Sequence, residues 1–333
     1  MINLALMVDI VLLALLLVTA VAIARMHDLF AVVMLSGIYG LLSAAFFVSL
    51  DAVDVAFTEA AVGAGISPLL LLSVLKLTGN REQGWHPRAG TALVLVTLTG
   101  LMLVLGTLDM PAFGDPDSPA STHVAVRYLE ASGEEIDIPN VVTSVLASYR
   151  GYDTFGEAVV IFTAAMGVLS LLSLLPVPKE GVDSPVRMGE HLVLRLVSEL
   201  LIPLILLFAL YVQFHGEYGP GGGFQAGVIF AAAIILYSML FGLHAAQRVA
   251  NPAVLRTLAA IGVLIYGSVG VVSLFAGGTF LDYSVLSHDP VHGQHLGILL
   301  VELGVGITVA STMMLIFFAF TAQSDAGRAE GTP

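Results

Sequence analysis

Along the chain, long apolar runs alternate with short polar interruptions, and the runs exceed what a soluble core requires. A helix that crosses a bilayer needs about 20 mostly apolar residues. Nine stretches qualify, at roughly 3–24, 29–50, 55–76, 90–109, 155–175, 192–214, 223–244, 255–276 and 295–320. The pattern predicts an all-α, polytopic membrane protein of about nine transmembrane helices in two bundles. Two connections are long enough to carry structure of their own. The one at about 110–154 contains DIPNVVTSVLASYRGYD, where Val141, Val145, Leu146 and Tyr149 recur at helical spacing. That spacing predicts a short helix lying on the membrane surface. The other, PVPKEGVDSPVRMGE at 176–190, mixes prolines, glycines and charges. It reads as a joint between a five-span domain (1–175) and a four-span domain (191–322), with a polar tail at 323–333.

Composition agrees with the pattern: 57% of residues are hydrophobic, 11% are charged, and the mean hydropathy is +0.95. Soluble domains carry about 25% charged residues, so most side chains here face lipid or other helices. There is no cysteine, which excludes disulfides and thiolate metal sites. The net charge of -13 resides mostly in connections, and the 12 Lys and Arg are spread along the chain. They form no stripe that would track phosphates, so nucleic acid is excluded as a partner. The first span has no basic residue ahead of it, the reverse of a cleaved leader, and is expected to stay as an anchor.

Lys and Arg are retained on the cytoplasmic side. Arg25, Lys76, Arg81, Arg88, Lys179, Arg187, Arg195, Arg248, Arg256 and Arg328 fall on one side of the nine-span arrangement, and only Arg127 and Arg150 on the other. The expected protein therefore lies in the cell membrane with its amino terminus outside and its carboxyl terminus in the cytoplasm. The 110–154 connection is then outer and 176–190 inner.

Ionisable groups within a span cost about 2.5–3.5 kcal/mol on insertion scales and default to functional candidates. Glu59 lies one turn into the third span in TEAAVGAGISP, where Gly63, Gly65 and Pro68 weaken the helix and suit a π-bulge or hinge. The structural alternative is close packing through small residues. Lys76, 17 residues on, is about 25 Å from Glu59 along a helix and cannot pair with it; a snorkelling lysine is the competing reading. Glu157 follows Thr154 by three residues, which reads as a capping box at a helix start. Glu302 lies seven residues past His295, among Gly297, Gly304 and Gly306, deep in the ninth span. Glu199 and His215 bracket the sixth span. His288, His292 and His295 with Asp289 have a spacing common in metal sites, but no partner cluster accompanies them, and polar residues near the headgroups, where imidazole can exchange protons, are the stronger reading. No metal or cofactor is expected.

HGEYGPGGGFQAG at 215–227 fits a loose dinucleotide fingerprint through Gly221, Gly223 and Ala226, yet an apolar helix precedes it and residue 247 is Gln where an acid is required. Pro220, Gly221, Gly222, Gly223 and Phe224 instead predict a tight outer turn at which two helix ends meet.

Residues 191–320, with YVQFHGEYGPGGGFQAGVIFA and GQHLGILLVELGVGITV, resemble the B subunit of Mrp-type multisubunit sodium/proton antiporters. Residues 1–175, with FTEAAVGAGISPLLLL and YRGYDTFGE, resemble the carboxyl-terminal part of the large A subunit, itself similar to small membrane subunits of energy-converting hydrogenases and respiratory complex I. The resemblance implies partner subunits, membrane lipid, Na⁺ and H⁺ as ligands, and an ion path that includes Glu59 and Glu157, with Lys76, His215 and Glu302 as further candidates. The many-span core of the A subunit is missing, which implies that the chain does not exchange ions alone. Beside the transport reading stand a scaffold whose polar residues only join helices, and a membrane-arm component of a redox-driven pump.

Overall fold

The computed structural model describes residues 4–82, 88–112, 114–173 and 192–330; the expected joint at 176–190 lies outside them. Among these residues there is no strand. Nine helices among the described residues are long and apolar enough to cross a membrane. They are α1 (Leu4–Arg25), α2 (Leu29–Ser49), α3 (Val53–Thr78), α4 (Ala89–Thr107), α5 (Gly151–Ser173), α6 (Leu192–His215), α7 (Gly223–Phe241), α8 (Pro252–Phe275) and α9 (Pro290–Glu330). Helix α9 continues well past residue 320, where the apolar pattern ends.

Burial is uneven and follows composition. Helices α7 and α9 carry the most buried positions, while α4 buries none. Ringed by apolar side chains, α4 needs only lipid to be stable as a helix. Helices α6, α8 and α5 pack around α7 and α9, and α1 packs on α2, which in turn packs on α3. One contiguous core joins both parts of the chain: Ile66 of α3 and Ala158 of α5 belong to the same buried cluster as Ile235, Tyr266 and Val309.

Helix α3 is not a regular helix. Its Ala60–Ile66 segment is π-helical, and the backbone of α2 comes close to it: a Cβ added at Gly40 would stand 2.6 Å from the Gly63 carbonyl carbon, and one at Gly37 would stand 3.0 Å from Pro68 Cγ. Inserting one residue into a turn leaves a backbone group without its usual partner and widens the helix. Small residues at the same level let α2 close over that bulge.

The outer connection holds the expected short helix and several more. Short helices run over Pro119–Thr122, Val124–Glu130, Ser132–Glu135 and Val141–Thr143, followed by a π-helical turn at Ser144–Tyr149. One side of this last piece is packed into the molecule. Thr143, Ser144 and Ala147 are buried, while Leu146 is exposed. Ser148 Oγ donates to Gln294 Oε1 at 2.7 Å, and Tyr283 Oη donates to the Ala147 carbonyl at 2.9 Å. Burial raises the pKa of the Tyr283 phenol well above its ordinary value, so the phenol remains a donor. The small polar face turns inward in place of the apolar one because small side chains let the backbone approach close enough to form these bonds.

The capping-box reading of Thr154 and Glu157 is overturned. Helix α5 begins at Gly151, and Thr154 Oγ1 turns back to donate to the Leu146 carbonyl at 2.8 Å. The π-helical turn runs almost directly into α5, so Thr154 has no free helix end to cap, and Glu157 is left for another role.

Candidate functional site

A cavity of about 580 Å³ opens where the outer connection, the α6–α7 turn and helices α3, α5, α8 and α9 meet. Three carboxylates line it: Asp54 from the first turn of α3, Glu157 from α5 and Glu302 from α9. Thr58, one turn after Asp54, accepts a hydrogen bond from Gln225 Nε2 at 2.8 Å, which ties α3 to the start of α7.

The glycine turn forms the wall opposite Glu302. Gly222 has φ 113° and ψ 174°, a region essentially restricted to glycine, and its N–H closes the turn on the Val212 carbonyl at 3.1 Å. A Cβ on Gly223 would collide with the backbone oxygen of Glu302, and one on Gly222 would stand 3.1 Å from Glu302 Oε1. The absence of side chains therefore sets the Glu302 carboxylate against the amino end of α7, where unpaired N–H groups and the helix dipole favour negative charge.

At the outer rim, His295 Nδ1 stands 3.3 Å from Glu217 Oε2, both side chains partly buried. This contact links the α6–α7 turn to α9 two helical turns before Glu302.

The candidates read from sequence separate accordingly. Glu157, Glu302, Gly221, Gly222, Gly223 and Phe224 line the cavity. Glu59, partly buried, does not; its carboxylate folds back over Gly63 and has no hydrogen-bond or ion-pair partner among the described residues. Lys76 is exposed at the other end of α3. His215 stacks on Tyr211, with ring centroids 4.7 Å apart. Glu199 pairs with Arg195 at 2.8 Å on the exposed face of α6. The three histidines do not converge: His292 pairs with Asp289 at 3.0 Å, His295 faces Glu217, and no group of three metal-binding side chains occurs among the described residues.

Asp54, Asn140, Thr143 and Gln225 were missed in the sequence. An acid in the first turn of a helix is ordinarily a cap-region residue; the signal that Asp54 is more than that was Thr58 four residues later, on the same face of an otherwise apolar span.

Known proteins provide the family. A domain described as related to the MnhB subunit of Na⁺/H⁺ antiporters matches residues 193–315, the D subunit of MBH matches 14–80 and the E subunit of MBH matches 95–189. A protein of Rhizobium meliloti (strain 1021), named as a probable A/B subunit of a K⁺/H⁺ antiporter, is 27% identical over 90% of this chain, which spans 33% of that protein's length. An antiporter component of Staphylococcus haemolyticus (strain JCSC1435) named mnhB2 is 35% identical over 40% of this chain and 95% of its own length. Among solved structures, a chain of the Mrp complex from Dietzia sp. DQ12-45-1b superposes with a TM-score of 0.73 and 26% identity, covering 93% of this chain and 34% of that one. With a four-span part that matches nearly the whole of a B subunit, and a preceding part similar to the D and E subunits of MBH, the chain belongs to the family of the MnhB subunit of Na⁺/H⁺ antiporters.

Proposed function

We propose that this chain is an integral membrane subunit of a multisubunit monovalent cation/proton antiporter, contributing part of the ion path and contacts to partner subunits in the cell membrane. The observation that carries the reading is the cavity in which Asp54, Glu157 and Glu302 converge between the two parts of the chain. Three carboxylates around one cavity repel one another when ionised, and that repulsion is relieved by a cation or by protons. Such a site exchanges one for the other, the elementary act of antiport. The match to B subunits favours this coupling over the redox-driven membrane arm.

Glu59 takes a separate place in the proposal. With no partner of its own among the described residues, a carboxylate within the membrane is stabilised by an ion, a proton or a group on another protein of the complex. Lys76, exposed at the far end of α3, would serve at the cytoplasmic end of the same route.

The experiment is antiport in everted membrane vesicles carrying the assembled complex, with either Na⁺ or K⁺ as the cation. Glu302→Ala and Glu59→Gln are expected to reduce cation-dependent dissipation of the pH gradient at least tenfold while partner subunits still co-purify. Undiminished antiport in both variants would leave the chain a scaffold.

A further inference from the structure

We infer that Asn140 is a positioning residue that holds Asp54 and the glycine-turn wall facing Glu302 in one register, a role that rests on the ion-route reading above. Asn140 lies in the outer connection and bonds to two other segments of the chain at once. Its Nδ2 donates to Asp54 Oδ1 at 3.2 Å, to the Gly216 carbonyl at 3.2 Å and to the Gly219 carbonyl at 3.0 Å. Its Oδ1 accepts from the Val142 N–H at 3.0 Å, and its own backbone N–H donates to the Glu217 carbonyl at 3.0 Å.

A carboxylate and two carbonyls, all acceptors, thus converge on one amide. An amide nitrogen has two hydrogens to give, so the three acceptors share them. With the donor removed, acceptor would face acceptor, and the segments would move apart or admit water.

The consequence reaches Glu302 through Gly216. The Gly216 carbonyl also accepts from Thr143 Oγ1 at 2.6 Å, and a Cβ on Gly216 would stand 3.1 Å from Glu302 Oε2. The outer connection therefore fixes the turn, and the turn fixes the carboxylate, while the same amide nitrogen holds Asp54 on α3. The titratable groups around this junction are Asp54 on α3, His215 beside Gly219 at the end of α6, Glu217 in the turn with its partner His295 on α9, Glu302 on α9, and Glu157 on α5 across the cavity.

Two substitutions separate positioning from folding. Asn140→Ser keeps a short acceptor that caps the Val142 N–H but cannot reach Asp54. Asn140→Asp also keeps the acceptor, and it sets a second carboxylate beside Asp54. In vesicles carrying the whole complex, Asn140→Ser should raise the cation concentration for half-maximal antiport about tenfold with little change in maximal rate. Asn140→Asp should shift the pH profile of antiport upward, because adjacent carboxylates retain a shared proton, and adding Asp54→Asn should abolish that shift. Loss of assembly in both Asn140 variants, or wild-type kinetics and pH profile in both, overturns the proposal. Glu302→Ala run alongside distinguishes the two levels: if it is inactive while the Asn140 variants are normal, only the positioning role fails. If Glu302→Ala is itself normal, the ion-route reading fails.

Discussion

At the scale of single residues, the α6–α7 turn shows how little room the site allows. Gly222 occupies backbone space closed to other residues, and Gly223 abuts the Glu302 peptide. Strain of the first kind costs about 1–3 kcal/mol, and overpacking of the second kind costs about the same. The double change Gly222→Ala with Gly223→Ala is therefore expected to lower the amount of assembled complex severalfold, measured as co-purification of partner subunits from detergent extracts. Changes at His215 or Glu217, at the edges of the turn, should leave assembly intact and act on transport. Full recovery of the double variant would mean that the glycines form only a polar linker.

At the scale of elements, the outer connection is the part whose attachment can be tested. Tyr149 Oη donates to Glu135 Oε2 at 2.5 Å, Arg127 bonds the same carboxylate at 3.0 Å, and Tyr128 packs on the Tyr149 ring with centroids 5.0 Å apart. The tyrosine hydrogen bond, then the guanidinium, hold the Glu135 carboxyl below its usual range. A lowered folded-state pKa contributes stability above the unfolded value, near 4.3, and loses it as pH falls through the folded value. Burial first, and then the bond to Glu135, push the Tyr149 phenol up to about 12. Its contribution is complete below the unfolded value of about 10 and is lost as pH rises through about 12. The attachment is thus insensitive to pH across the neutral range. Tyr149→Phe keeps the ring contact and removes the bond, at a cost of about 1 kcal/mol. Hydrogen exchange of residues 132–149, corrected for intrinsic rates, should be about fivefold faster at pH 7, with the difference narrowing as acid protonates Glu135. Equal exchange at pH 7 would show that the ring contact alone attaches this element.

At the scale of the whole molecule, the arrangement of ends is internally consistent. The connections at 26–28 and 79–82, both expected to be inner, lie side by side, with the Leu29 N–H donating to the Asn80 carbonyl at 2.9 Å and the Glu82 N–H to the His27 carbonyl at 3.2 Å. The outer connection, the α6–α7 turn and the start of α9 meet at the opposite end. The charge bias proposes which end faces the cytoplasm, and the absence of cysteine makes the test direct. Single cysteines at 115 and 285 should react with an impermeant reagent on intact cells, and one at 183 only after permeabilisation; the reverse pattern would invert the topology.

Sequence alone determined the number and approximate extent of the spans, because a bilayer imposes its length rule on every helix independently. It also pointed to Glu302 and the glycine turn, since an acid in an apolar span and a cluster of glycines are each anomalous within a few residues of chain. Only the tertiary structure decided that Asp54, Glu157 and Glu302 share one cavity, that Glu59 stands outside it, and that the outer connection buries its small polar face against other helices. Those outcomes depend on which small residues let distant backbones approach and on which acceptors found a donor. The bonds from Asn140 to Asp54 and Gly216 join residues 86 and 76 positions apart, and no local periodicity encodes such pairings.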